Sequence, residues 1–207
     1  MASYRGHLVF SSALGAGLGG FAVLHWGYDW GRAFLGAGLT TLGGLLPDLD
    51  SDSGVPVREL FGAAATVVPL LLIHRFRDGG YDAEQVLVLM AATYIGVRYG
   101  LSLLFKRLTV HRGMFHSIPA MLISGLAVYL LYHSPNQPLR VYLAGATMLG
   151  FLSHLVLDEL CSVDLMGARV QFNKYAGSAL KLASASWKAT LTTYLILAGL
   201  GFLVLQE

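Results

Sequence analysis

Long apolar segments separated by short polar breaks are the feature that most constrains how this chain folds. Hydrophobic residues make up 55% of the 207 residues and charged residues 13%, whereas a soluble domain carries about 25% charged residues. A spanning helix needs about 20 mostly apolar residues, and fewer where it packs inside a bundle. By that measure the sequence predicts seven spans, at residues 7–26, 33–47, 59–74, 83–105, 114–133, 139–160 and 187–205. We therefore expect an all-α, polytopic transmembrane helical bundle that forms a single domain over residues 1–207.

Two parts of this bundle allow alternatives. The second and third predicted spans are short, so they either cross the membrane or form a re-entrant pair. Residues 161–186 form the one extended segment outside the spans, and we expect this segment on the cytoplasmic side. Its part from Gly177 to Lys188 is either a helix at the interface, with its lysines toward anionic headgroups, or a connecting loop.

The lysines and arginines of the short loops predict the orientation of the chain. With the N-terminus inside, the cytoplasmic side holds nine of them, namely Arg5, Arg58, Lys106, Arg107, Arg112, Arg169, Lys174, Lys181 and Lys188. The other side then holds four, namely Arg32, Arg75, Arg77 and Arg140. We therefore predict a multi-pass protein of the inner membrane with a cytoplasmic N-terminus. The net charge of only +2, without any basic block, argues against nucleic acid as a partner.

In this orientation the polar groups at the cytoplasmic helix ends are those that bind metals. They are His7, the run Pro47-Asp48-Leu49-Asp50-Ser51-Asp52, the run His111-Arg112-Gly113-Met114-Phe115-His116-Ser117, and the pair His154 and Asp158. His25, His74 and His133 fall at the opposite ends, beside aromatic or basic neighbours typical of a membrane interface. Arg98 lies inside the fourth span, where it is either functional or extends to the interface.

Spacing supports metal binding at these groups. His154 and Asp158 lie one turn apart on a helix, so both face the same side. Asp48 and Asp50 point the same way if their segment is extended, and a cation would relieve their mutual repulsion. The predicted metal ligands are His7, Asp48, Asp50, His111, His116, His154 and Asp158. Mixed histidine and aspartate ligands favour zinc first and manganese second, as one to three ions.

Three residues are candidates for catalysis. Arg112 stands beside the histidines, and its planar guanidinium suits a phosphate group. Ser117 either orients a ligand or caps the helix that follows. Asp50 lies beside Asp48 in the acidic run. Together these residues predict that Arg112 stabilises the developing charge of a phosphoester undergoing hydrolysis.

At these residues the chain resembles the YdjM-like family of membrane-bound proteins, which are regarded as metal-dependent hydrolases. The resemblance rests on a histidine near the first span, Pro-Asp-x-Asp after the second, His-Arg-Gly-x-x-His-Ser and His-x-x-x-Asp, in that order over residues 7–160. The family is distantly similar to the zinc-dependent phospholipase C and S1/P1 nuclease superfamily. That similarity implies phosphoester hydrolysis at a polynuclear site, with His154 and Asp158 matching the superfamily's pair. This chain departs from the superfamily in having one His-x-x-x-Asp and no N-terminal tryptophan.

The sequence thus predicts a metal-dependent hydrolase that cleaves a phosphoester of a membrane lipid or a related substrate. One alternative is a metal-free lipid phosphatase with a histidine nucleophile, although the Pro-Ser-Gly-His element of such enzymes is missing. A transporter is another, but transporter sites lie near the bilayer midplane rather than at helix ends. The third alternative is a metal-binding scaffold without activity.

Overall fold

A computed structural model describes residues 3–50, 54–103, 114–166, 169–172, 180–184 and 186–207. The side chains at positions 50, 54–56, 163–166 and 169–172 lie outside this description. Every structural statement below concerns the described part of the chain.

Seven α-helices follow one another in the order that the apolar segments predict. They are α1 (Tyr4–Trp26), α2 (Trp30–Gly43), α3 (Gly54–Asp78), α4 (Ala83–Ile95), α5 (Ile118–Leu131), α6 (Gln137–Leu160) and α7 (Trp187–Leu205). A 3-10 helix, Leu46–Asp50, follows α2, and a π-helical turn, Gly96–Leu101, continues α4. The prediction of an all-α membrane bundle is confirmed.

Polar residues mark the start of most helices, because the first backbone N–H groups of a helix have no partner within it. Side-chain oxygens that accept from these groups belong to Ser3, Asp29, Asp82, Ser117, Asn136 and Ser186. At Asp82 the cap is reciprocal, since the Gln85 side chain in turn accepts from the Asp82 N–H. Gly27 ends α1 with a φ of 66°, a left-handed conformation that favours glycine.

Helix α6 lies at the centre of the packing. It contacts α2, α5 and α1, while α1 also packs along α2. Helices α3 and α4 form an antiparallel pair beside this group, and α7 packs on α5. The two hydrophobic clusters of the core follow the same plan: one contains Leu39, Leu71 and Leu143, and the other surrounds Leu42, Leu45 and Leu60. Leu46 and Leu49 of the 3-10 helix pack against the second cluster, which therefore supports the backbone that carries Asp48.

Four helices are long and apolar enough to cross a membrane, namely α1, α3 from Val57, α6 and α7. The third predicted span is therefore not short, since α3 has 25 residues. By contrast α2 and α5 have 14 residues each, or about 21 Å of helix at 1.5 Å per residue, against about 30 Å of hydrocarbon. Each of the seven predicted segments contains a helix, and length together with hydropathy supports four of these helices as complete spans.

The segment 161–186 contains a feature that the hydropathy pattern does not predict. Strands β1 (Val163–Met166) and β2 (Arg169–Phe172) pair antiparallel in a short hairpin. The described residues 180–184 and 186 are not helical, so the interfacial helix is wrong for them, while 177–179 and 185 lie outside the described residues. Lys181 instead pairs through its backbone with the start of α5.

Two pairs of glycines spaced four residues apart in apolar helices behave differently. A Cβ added at Gly15 would lie 2.5 Å from the Ala37 backbone oxygen, and one at Gly19 would lie 3.1 Å from that of Ala33. This pair lets α1 and α2 approach closely. Gly96 and Gly100 have no atom within 4 Å of an added Cβ, so within the described chain they do not mediate close packing.

Candidate metal centre

Five of the seven predicted metal ligands converge at one end of the bundle. They are His7 in the first turns of α1, Asp48 in the 3-10 helix, His116 just before α5, and His154 and Asp158 in α6. The relative exposures are 3% for His7, 8% for His116, 1% for His154 and 4% for Asp158. Asp48 is more exposed, with 25% of its side chain accessible. The centre is therefore buried, and its most open side is that of Asp48.

Close contact between α2 and α6 fixes the orientation of His154. A Cβ added at Gly150 would lie 1.9 Å from the backbone oxygen of Thr40, and one added at Gly43 would lie 2.2 Å from the backbone oxygen of Thr147. Only glycines allow the two backbones to approach this closely. The approach brings the Gly44 carbonyl oxygen to 2.7 Å from His154 Nδ1. If Nδ1–H donates to that oxygen, the lone pair of His154 is on Nε2, the arrangement found in metal-binding histidines.

Two carboxylates from different elements surround His154 Nε2. Asp48 Oδ1 lies 3.8 Å and Asp158 Oδ2 lies 3.7 Å from this nitrogen. Nε2 is buried and has no hydrogen-bond partner within the described chain. Ligand atoms about 2.0–2.2 Å from a tetrahedral zinc ion are separated by roughly 3.3–3.5 Å. The distance from His154 Nε2 to each carboxylate oxygen is thus within a few tenths of an ångström of that separation.

His7 approaches the same carboxylate from the other side. Its Nε2 lies 3.2 Å from Asp158 Oδ1, so each oxygen of Asp158 faces a different histidine. The His7 and His154 rings are stacked, with centroids 3.6 Å apart and planes inclined by 9°. Ser11 stabilises this part of α1, since its hydroxyl donates to the His7 carbonyl oxygen at 2.7 Å.

This stacking bears on the number of ions. The ligand atoms of His7, His154 and Asp158 lie within 4.8 Å of one another, a distance that one ion can satisfy. However, an imidazole lone pair lies in the plane of its ring, so the lone pairs of two nearly parallel rings do not meet at one point. Each nitrogen can bind its own ion, with the two oxygens of Asp158 between them. The ring centroids are 3.6 Å apart, which is similar to the ~3.5–4 Å between ions in two-metal sites.

His116 completes the group near Asp48. Its ring centroid lies 5.4 Å from that of His154, and the planes are inclined by 65°. A ligand atom of His116 lies within 4.8 Å of those of Asp48 and His154. The neighbouring backbone is held by the Ile118 N–H, which donates to the Lys181 carbonyl oxygen at 3.2 Å.

Ser117 has the capping role that the sequence allowed. Its hydroxyl donates to the Met114 carbonyl oxygen at 2.5 Å and accepts from the Ala120 N–H at 3.3 Å. The residue is fully buried. Ser117 therefore caps α5 directly after His116, and its predicted role in catalysis stays a prediction.

The remaining predicted residues stand as follows. Asp48 and Asp50 lie in a 3-10 helix, so the expectation of an extended segment is wrong. The prediction that their side chains point the same way, which assumed that segment, does not apply. The Asp50 side chain, His111 and Arg112 lie outside the described residues, and their roles stay predictions. Sequence reasoning missed Gly44 and Gly150 as supports of the centre, although Gly43-Gly44 shortly before the acidic run was a visible sign of close packing.

The opposite end of the bundle holds a cluster of different composition. Arg75 Nε donates to the Leu130 carbonyl oxygen at 3.0 Å, and Arg140 Nη2 donates to the Tyr129 carbonyl oxygen at 2.9 Å. Both guanidinium groups also bind the Glu207 carboxylate. Burial raises the pKa of Glu207, but the hydrogen bonds from the two arginines outweigh this effect, so the pKa is lowered.

His25, His74 and His133 do not join the metal centre. His25 stacks on Phe21, and His74 meets the Tyr132 ring edge-on at 5.5 Å. His133 Nε2 lies 3.9 Å from Asp78 Oδ2, and both side chains are largely exposed. These contacts agree with the interfacial role that the sequence predicts for the three histidines.

Comparison with known proteins places the chain in a family. The family model described as YdjM inner membrane protein matches residues 1–172, which include all five converging residues. The chain therefore belongs to the YdjM inner membrane protein family. No curated protein and no solved structure matches the chain.

Proposed function

From its membership of this inner membrane family and the geometry of the centre, we propose that the protein is a membrane-bound, metal-dependent hydrolase. It would bind two divalent ions and cleave a phosphoester of a membrane lipid or a related substrate. The observation that carries the proposal is the pair of stacked histidines, His7 and His154, each facing a different oxygen of Asp158.

The chain's own residues divide between the two ions. His7 and Asp158 Oδ1 would hold one ion, while His154, Asp48 and His116 would hold the other, with Asp158 Oδ2 beside His154. The mixture of nitrogen and oxygen ligands favours zinc, with manganese second. When bound, such ions lower the pKa of water to near neutrality and polarise a phosphoryl oxygen. Gly44 fixes the ring of His154, so that this ligand is oriented before an ion arrives.

Two features support a lipid phosphoester as substrate. The five residues lie at or near helix ends, and the ends of spanning helices reach the headgroup region of a bilayer. Asp48, the most exposed of the five residues, lies at the side from which a substrate would enter. In this proposal Arg112 stabilises the charge that develops on the phosphoryl group.

Metal analysis tests the centre directly. Protein purified without chelator should contain about two divalent ions per chain, the number expected for a two-metal site. His154→Ala should lose at least one ion, whereas His133→Ala, a matched change at the opposite end, should lose none. Wild-type protein without stoichiometric metal, or full metal content in His154→Ala, contradicts the proposal.

Turnover tests the reaction. Phosphatidic acid, diacyl phospholipids and soluble phosphodiesters are incubated with the metal-loaded protein, with and without chelator. We expect hydrolysis of one of these classes, abolished by the chelator. Arg112→Lys keeps the charge but loses the planar fork, and should lower kcat by about 10²-fold with metal content unchanged. Turnover of none of the substrates would favour a metal-binding scaffold, and activity that survives chelation would favour a histidine nucleophile.

Orientation is tested by thiol labelling in spheroplasts. The native Cys161 is exposed, so the background carries Cys161→Ser. With the proposed cytoplasmic N-terminus, an impermeant reagent should modify Ser134→Cys and spare Ser53→Cys. Modification of Ser53→Cys alone would place the centre on the other side of the membrane.

A further inference from the structure

Arg98 occupies an unusual position on the outer flank of the α3–α4 pair. It lies in the π-helical turn that continues α4, and its Nη1 donates to the backbone oxygen of Arg58 in α3. A Cβ added at Gly62 would lie 3.3 Å from this Nη1 and 3.7 Å from Cζ. The absence of a side chain at Gly62 thus leaves room for the guanidinium to lie along α3.

The surroundings of Arg98 are apolar and open. Ile95, Tyr99 and Leu103 are exposed by 57%, 61% and 58%, as expected for side chains that face lipid. Within the described residues neither Arg58 nor Arg98 is ion-paired with a carboxylate. An arginine on a lipid-facing flank costs several kcal/mol unless an anion or water compensates its charge. A guanidinium has five N–H donors, of which the Arg58 carbonyl takes one.

These two arginines lie at the same end of the bundle as the metal centre. Arg58 directly precedes Glu59, whose carboxylate accepts a hydrogen bond from the Tyr4 hydroxyl at 3.0 Å. Tyr4 in turn lies one turn before His7 on α1. The next residue of α3, Leu60, packs beneath the 3-10 helix that carries Asp48. Helix α3 therefore separates the two features, with the arginines on its outer side.

We propose that Arg98, assisted by Arg58, binds the phosphate of an anionic glycerophospholipid whose acyl chains lie along the exposed apolar flank of α4. The guanidinium is held at headgroup depth by the Arg58 carbonyl, so its remaining donors are oriented before the lipid arrives. Basic sites between membrane helices on the cytoplasmic side are of this kind. The inference rests on the proposed function only in identifying this lipid with the substrate class, since the bound lipid would be held one helix away from the metal centre.

Native mass spectrometry of the detergent-solubilised full chain tests the site. The protein is titrated with phosphatidylglycerol or phosphatidylcholine of the same acyl chains. Wild-type protein should prefer phosphatidylglycerol by about fivefold, the effect of one cation near an anionic headgroup. Arg98→Gln should reduce the preference to about one, and Arg98→Lys should retain part of it because the charge remains. Arg77→Gln, an exposed arginine at the other end of α3, should retain the full preference.

Three results of the titration without chelator would overturn the proposal. They are equal binding of the two lipids by the wild type, an undiminished preference in Arg98→Gln, and displacement of the lipid by an excess of inorganic phosphate, which would make free phosphate the ligand. The titration is repeated with chelator, and the preference should persist. Its loss on chelation would place the lipid at the metal centre instead. The lipid preference and the metal content are measured separately, so either proposal can fail while the other stands.

Discussion

The two ends of the bundle carry polar clusters of similar size and different completeness. At one end Arg75 and Arg140 donate to helix carbonyls and to Glu207, so cations, anion and backbone oxygens satisfy one another. At the other end three imidazoles and two carboxylates converge, and His154 Nε2 is buried without a hydrogen-bond partner in the described chain. A buried polar group normally has a partner. The first cluster needs nothing further to be stable, whereas the second has the lone pairs that a cation binds.

The comparison also shows how each cluster is attached to the fold. The arginine cluster joins long side chains to the carbonyls at the end of α5, where the helix dipole favours cations. The metal centre instead depends on short side chains placed by close backbone contact at Gly44 and Gly150. We therefore expect substitutions at the first end to change stability and substitutions at the second to change metal content.

The largest effect is expected at Asp158, because its two oxygens face both histidines. Asp158→Asn keeps the shape of the side chain but removes the charge that a bridging ligand supplies. Both ions should be lost, with hydrolytic activity reduced to background. Glu207→Gln, the same kind of change at the other end, should leave metal content at the wild-type value. Elemental analysis measures the metal content of the two variants. Equal metal content in both would contradict the assignment of metal binding to the Asp158 end alone.

A steric change separates packing from ligand chemistry. Gly150→Ala places a Cβ 1.9 Å from the Thr40 oxygen and should push α6 from α2, at a cost of roughly 3 kcal/mol. The His154–Gly44 hydrogen bond would lengthen, and metal affinity should fall about 10- to 100-fold. Gly145→Ala in the same helix meets no atom within 4 Å and is the matched control. Equal metal affinity in the two variants would show that the helix contact does not position the centre.

The arginine end should respond in stability alone. Arg140 is 4% exposed, and its guanidinium binds both Glu207 and the Tyr129 carbonyl oxygen. Arg140→Met removes these hydrogen bonds and should lower the free energy of unfolding by about 2 kcal/mol. Thermal unfolding in detergent, measured alongside metal content, checks the expectation. A loss of metal at unchanged stability would reverse the roles assigned to the two ends.

The smallest effect concerns pH. The pKa of the Glu207 carboxyl is lowered below its ordinary value in the folded protein. Because the pKa is lower in the folded state, the ionised carboxylate stabilises the fold at pH values above the unfolded-state pKa. This stabilisation is lost as the pH falls through the folded-state pKa. Because Glu207 is partly exposed, the difference in Tm between wild type and Glu207→Gln should be only about 2 °C at pH 7. It should vanish in acid, and a difference that grows with acidity would contradict this account.

The helices follow from the sequence because the bilayer and the backbone impose local rules. Apolar runs predict all seven helices in order, and caps such as Asp82 and Asn136 set where they begin. Span length was less predictable, as α2 and α5 show, because a short helix can be covered by neighbours that the sequence does not reveal. The types of ligand in the centre, and the separation of His25, His74 and His133 from it, also follow from hydropathy and position along the chain.

Only the tertiary structure decided how these ligands meet. The spacing of His154 and Asp158 predicts that both lie on one face of a helix. The sequence does not predict that His7 stacks on His154 or that the two oxygens of Asp158 face different histidines. Those relations depend on how closely α1, α2 and α6 approach, and that distance is set by which glycines face a neighbouring backbone. Gly15 and Gly150 do so, whereas Gly96 and Gly100 do not, although all four are the same residue in apolar helices. The sequence specifies which groups can bind a metal, and the packing of the helices determines their geometry, because contact between distant segments depends on the whole fold.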